Sequence, residues 1–178
     1  MNVLDMLEAM KHSPLHNYAG VPGLTSWLIG AGKGNVRLME CSRAHQEAII
    51  PHSHRFDFVC QVLAGTVTNL LWEEGDRDQN DDEYQVTEMG YAGTPGCYDR
   101  GDSWRGRFRV VEQKHGVGAT YSMKADQIHS IFFSRGAKVL FLEGPEVSST
   151  SVILEPVVDG VVVPTFDVRD WMFKKEQA

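Results

Sequence analysis

The feature that most limits what this chain can become is a change of texture near residue 24. From there on, short runs rich in β-branched and aromatic residues alternate with Gly, Asp and Pro, a pattern that builds many short strands. Strands are predicted over 24–30, 35–42, 46–50, 56–64, 66–72, 84–91, 105–113, 117–123, 128–134, 137–143, 150–155 and 161–166. Ala64-Gly65, between the fourth and fifth of them, predicts a tight hairpin. The run Lys138–Leu142 reads as a strand buried on both faces. Only residues 3–11 have helical periodicity, with Val3, Leu4, Met6, Leu7 and Met10 on one stripe, and Pro14 and the 17–23 run end it. The expectation is one all-β domain over 24–178, preceded by a helix and linker over 1–23. So many strands must close into a barrel or pack as two sheets, because open edges invite aggregation.

Charge and composition narrow the function. The 178 residues carry 24 acidic and 17 basic side chains, a net charge of −7, which disfavours nucleic acid as a partner. No stretch approaches the roughly 20 apolar residues that span a bilayer. The start MNVLDMLEAMK has no basic region followed by an apolar run, and three cysteines (Cys41, Cys60, Cys97) make no disulfide framework. A cytoplasmic location is therefore expected. Residues 73–83 hold seven acids and one Arg and read as a solvated loop; their spacing does not match an EF-hand.

Three of the seven histidines form a pattern. His52 and His54 are two apart at the head of a β-rich run, so strand alternation turns both imidazoles to one face. Two imidazoles hold a metal weakly, and a third ligand is expected; His129, at the start of a distant strand, can supply it. His45 and His115 lie near predicted turns and read as surface residues or residues just behind the ligands, and His12 and His16, flanking the helix, are expected to be exposed.

His52-Ser53-His54, ten residues, then Gly65 resembles the first cupin motif. The segment Gly118–His129 resembles the second, with Lys124 and Asp126 where the family has Pro and Gly. The resemblance spans about residues 24–170 and implies a double-stranded β-helix, a jelly-roll barrel with the metal in its mouth. It also implies a Glu ligand seven residues before the turn glycine, where this chain has Phe58. The implied centre is thus three histidines on a divalent metal, Fe(II) foremost, with Zn, Mn or Ni as alternatives. Asp57 is adjacent, but alternation turns it away unless a bulge intervenes.

Within cupins, a three-His site resembles the thiol dioxygenases, although no His or Tyr follows His129 to supply their relay. The resemblance therefore implies non-haem iron oxygen chemistry on a small organic substrate, with O₂ as co-substrate. A redox-neutral Lewis-acid cupin and a non-catalytic ligand-binding cupin are the alternatives. Strand parity puts Phe58 and Cys60 on the substrate face; Arg37 and Gln61 are further substrate candidates, and Tyr121 and Arg107 catalytic ones. An Arg in the cavity would suit a carboxylate. A homodimer is expected by resemblance, with apolar strands in 150–166 able to pair between chains.

Overall fold

The computed structural model describes residues 3–18, 21–31, 34–43, 50–75, 81–91 and 98–163. Among the described residues, one helix, α1 (Val3–Ala9), precedes twelve strands. They are β1 (His12–His16), β2 (Leu24–Ala31), β3 (Asn35–Cys41), β4 (Phe56–Ala64), β5 (Val67–Glu74), β6 (Asp82–Tyr91), β7 (Tyr98–His115), β8 (Thr120–Met123), β9 (Ile128–Phe133), β10 (Lys138–Glu146), β11 (Thr150–Val158) and β12 (Val161–Val162). They form two six-stranded antiparallel sheets, ordered β1-β2-β3-β10-β4-β8 and β12-β11-β6-β7-β5-β9. The expected all-β architecture with a short N-terminal helix is the one observed.

Strand β4 shows why these residues make a sheet. Phe58, Cys60 and Val62 are buried, whereas Val59 between them is exposed, the period-two signature of one covered face. The covered faces of the two sheets meet in one core. Met39, Cys41, Phe58, Cys60, Val62, Val139 and Phe141 come from the first sheet, and Val67, Ile131 and Phe133 from the second. On the alternate residues of the second sheet lies a separate cluster of Tyr84, Val86, Phe108 and Leu154, with Trp72, Ile128 and Val152 packed on it.

Several expectations need correction. The turn after Ala64 is not a hairpin: β4 and β5 lie in different sheets, and Gly65 carries the chain from one to the other. Its φ of +67° and the 2.8 Å from an added Cβ to the Ala137 Cα leave room for glycine alone. The helix stops at Ala9, and the stretch read as linker supplies β1, an edge strand paired with β2. Of the expected stripe, Met6 and Met10 are exposed while Leu4 and Leu7 are half-buried, and ion pairs also tie α1 to the sheet. Lys138 bridges Glu8 and Glu40, at 2.8 and 2.5 Å, and Lys11 bridges the same two acids, at 2.5 and 3.0 Å. Strand β10 is buried on one face, with Val139 and Phe141 covered and Leu142 exposed. The predicted strand 46–50, residues 164–166 of the last one, His45, Cys97 and residues 76–80 of the acidic run lie outside the described residues or, for Ile50, in no strand.

Candidate metal centre

The segment 51–54 runs between β9 and β11. The His52 N–H donates to the His129 carbonyl at 3.0 Å, and the His129 N–H returns a bond to the His52 carbonyl at 2.9 Å. On its other side, Leu154 N–H donates to the Pro51 carbonyl at 2.9 Å and Ser53 N–H to the Val152 carbonyl at 2.9 Å. These bonds join the two ends of β11-β6-β7-β5-β9 into a closed ring. The Ser53 hydroxyl accepts from Val152 N–H at 2.8 Å, turned away from its neighbours. His52 and His54 then share the other side, as alternation requires.

The three imidazoles converge. Ring centroids are 4.8 Å apart for His52–His54 and 5.1 Å for each of them to His129. One nitrogen from each lies within 4.8 Å of the others. The His54 and His129 Nε2 atoms are 2.9 Å apart. That spacing is short enough for the two nitrogens to share a proton, and the three converging donors are of the type that would hold a divalent ion. Hydrogen bonds select the ligating tautomer. His52 Nδ1–H donates to the Ile50 carbonyl at 2.9 Å, and His129 Nδ1–H donates to Asn69 Oδ1 at 3.2 Å. Both bonds leave Nε2 as a lone pair.

Burial sets the charge state. It pushes all three histidines below the ordinary imidazole value, His54 and His129 well below it. For His54 the proximity of His52 adds to the shift, and for His129 that of His52 and His54. The resting centre is therefore three neutral imidazoles, the form that binds metal.

Phe58, where the sequence resemblance implied a carboxylate, packs its ring 4.9 Å from His54 and 5.8 Å from His129. Phe141 continues that wall, 4.8 Å from Phe58. Cys60 faces inward as expected; burial raises its thiol to about 11, so it stays protonated. Arg37 is opposite Phe141, on the inward side of β3, with Nε 3.5 Å from Glu143 and Nη1 3.5 Å from Ser26 Oγ. Tyr121 is opposite Cys60 and stacks on His115 at 4.3 Å; burial pushes its hydroxyl far up, so it too keeps its proton.

Two candidates are not brought to the site. Gln61 follows Cys60 on β4, so alternation turns it away from Phe58 and Cys60. Arg107 is exposed on β7, where its Nη1 donates to the Asp81 carbonyl at 2.8 Å. Asp57 is no ligand: its carboxylate binds Lys124 Nζ at 2.6 Å and Ala125 N–H at 2.9 Å, fixing the loop that leads to His129. Asn69 and the Glu143 partner of Arg37 escaped the sequence reading. Asn69 had a signal, since it is the polar member of an inward set Val67, Asn69, Leu71.

The sequence matches no protein-family model and no curated protein. The fold is similar to solved structures at low identity. Hydroxypropylphosphonic acid epoxidase from S. wedmorenis aligns at 12% identity over 74% of this chain and 54% of its own, with a TM-score of 0.45. Streptomyces albus HEPD, solved with 2-hydroxyethylphosphonate and Fe(II), aligns at 10% identity over 76% of this chain and 24% of its own, with a TM-score of 0.45. KdgF from Halomonas sp. aligns at 11% identity over 76% and 89%, with a TM-score of 0.44. The chain thus spans about half the length of the epoxidase.

Proposed function

We propose that this chain is a metal-dependent cupin that holds a divalent ion, Fe(II) foremost, through His52, His54 and His129, and acts as a non-haem iron dioxygenase on a small organic molecule. The observation that carries the reading is the convergence of three neutral imidazoles, two of them fixed with Nε2 free. Among the described residues the group contains no carboxylate. Three neutral ligands leave the ion its full charge and open positions; when bound, it supplies Lewis acidity and, as iron, a place for substrate and O₂ together.

The chain's own residues would do the rest. Phe56, Phe58 and Phe141 form an apolar wall beside His54 and exclude water from that side. Arg37 supports recognition of a carboxylate on the substrate: its contacts to Glu143 and Ser26 are both at 3.5 Å, so its donors are lightly used. The Cys60 thiol and Tyr121 hydroxyl, both protonated, offer neutral polar contacts deeper in the barrel. The same ligand set suits zinc, manganese or nickel in a redox-neutral isomerase, lyase or hydrolase, because the undiminished charge favours Lewis-acid chemistry.

Elemental mass spectrometry of untagged protein, beside His52→Ala and His129→Ala, tests the reading. Near-stoichiometric iron, lost in both variants, supports it and directs an oxygen-uptake screen. Zinc, manganese or nickel lost in the same way keeps the centre and moves the chemistry to the redox-neutral class. No metal after anaerobic reconstitution rejects the centre.

A further inference from the structure

Asn69 is a polar side chain in an apolar place. It is fully buried on β5, on the same face as Val67 and Leu71 and opposite Ile131 of β9. Its Oδ1 accepts the His129 Nδ1–H at 3.2 Å. Its Nδ2 makes no hydrogen bond of full geometry; its polar neighbour is the Tyr121 hydroxyl, with which the amide interacts weakly. A buried donor so weakly used is costly, so packing alone gives no reason for an amide here. His52 needs no such residue, because a backbone carbonyl, that of Ile50, takes its Nδ1–H.

We infer that Asn69 is a positioning residue that selects the Nδ1–H tautomer of His129 and aims its Nε2 at the point shared with His52 and His54. The inference rests on the metal-centre reading above and assigns to Asn69 a role in ligation without contact with the ion. The chemistry is specific to the acceptor end of the amide. Were the proton on Nε2 instead, it would lie between His129 and His54, whose Nε2 atoms are 2.9 Å apart, and His129 could not ligate. A carboxylate in place of the amide can only accept, so it should serve as well, in the manner of the carboxylate–histidine–metal arrangements of other proteins. An isosteric hydrocarbon cannot serve.

Two measurements test this on the full chain. Long-range ¹H–¹⁵N NMR on the metal-free protein reads the ring tautomer of His129. The Nδ1–H form in wild type, and its loss in Asn69→Leu, are expected; a wild-type Nε2–H form overturns the inference. Titration with Co(II), followed by its visible absorption, reads ligation. Asn69→Leu is expected to bind about 10- to 100-fold more weakly with altered bands, and Asn69→Asp to match wild type. Wild-type affinity and bands in Asn69→Leu overturn the inference while leaving the metal centre standing. A wild-type protein that binds no Co(II) overturns the centre itself, and this role with it. If Asn69→Leu does not fold, Asn69→Ser and the Asn69→Asp rescue decide by the same readouts.

Discussion

The interior of the barrel and the outer side of its first sheet solve opposite electrostatic problems. Inside, His52, His54 and His129 sit within 4.8 Å of one another and stay neutral because burial penalises their charge. Outside, Glu8, Lys11, Glu40 and Lys138 are as closely spaced, yet acids and bases alternate and tie α1 to β3 and β10. The difference is one of solvent and sign. Three like groups in a dry place must shed protons or gain a cation, whereas two acids and two bases at the surface satisfy each other. The first arrangement is poised to bind something; the second is complete.

The comparison breaks most visibly if the inner group is disabled. His129→Ala should weaken metal binding by more than about 100-fold, beyond the usual effect of an indirect partner, and dialysis equilibrium against Co(II) checks it. A smaller loss would mean that His52 and His54 suffice. Next in size comes acid sensitivity. The metal-free folded state resists protonating its histidines, whereas the unfolded chain takes protons below pH 6.5. Stability is therefore full above that value and falls as the pH drops, by about 1.4 kcal/mol per pH unit for each histidine still neutral in the fold. Urea melts of the metal-free protein between pH 7.5 and 5 should show the slope, and His54→Gln should reduce it by one proton's worth.

An intermediate case sharpens the contrast. Glu155 is 1% exposed on β11, and its carboxylate receives two bonds from the half-exposed Arg100, at 3.2 and 2.9 Å. This is a single buried charge with a partner reaching in from solvent. Arg100→Met leaves the charge without compensation and should cost about 3 kcal/mol, read as a lower urea midpoint at neutral pH. Arg100→Met with Glu155→Gln should recover part of that loss.

Much of this arrangement was legible in the chain, for definite reasons. Phe58, Cys60 and the pair His52 and His54 follow strand alternation, which is local, so the reading of their facing holds. Gln61 failed by one residue of that same rule, and Arg107 failed because parity says nothing of where along a strand the barrel ends. The turn at Gly65 reads as a hairpin from sequence because glycine at a short connection has the same local chemistry whether the strands pair or part. Pairing depends on Val67 finding Phe133 and His115, and β4 finding β10 and β8, which are contacts far away in sequence. Glu143, too, meets Arg37 and Asn35 across more than a hundred residues. The charge lattice under α1 is hidden for a similar reason: nothing local tells that Met6 and Met10 stay exposed while Glu8 meets Lys138.

That lattice gives the smallest effect and the one that most directly tests its completeness. The side chains of Lys11 and Lys138 hold the Glu8 carboxyl down at about 2, against an ordinary 4.5. A depressed acid contributes stability above its unfolded value, and that contribution is lost as the pH falls from 4.5 toward 2. The Glu8 side chain is 38% exposed, so solvent and salt screen much of the gain. Glu8→Gln should therefore cost no more than about 1 kcal/mol at pH 7, shrinking in 1 M salt and vanishing near pH 2. Thermal melts at the three conditions check the sequence of values. A cost that persists in salt would place the anchoring of α1 in packing rather than charge, and the outer region would then differ from the inner one in degree only.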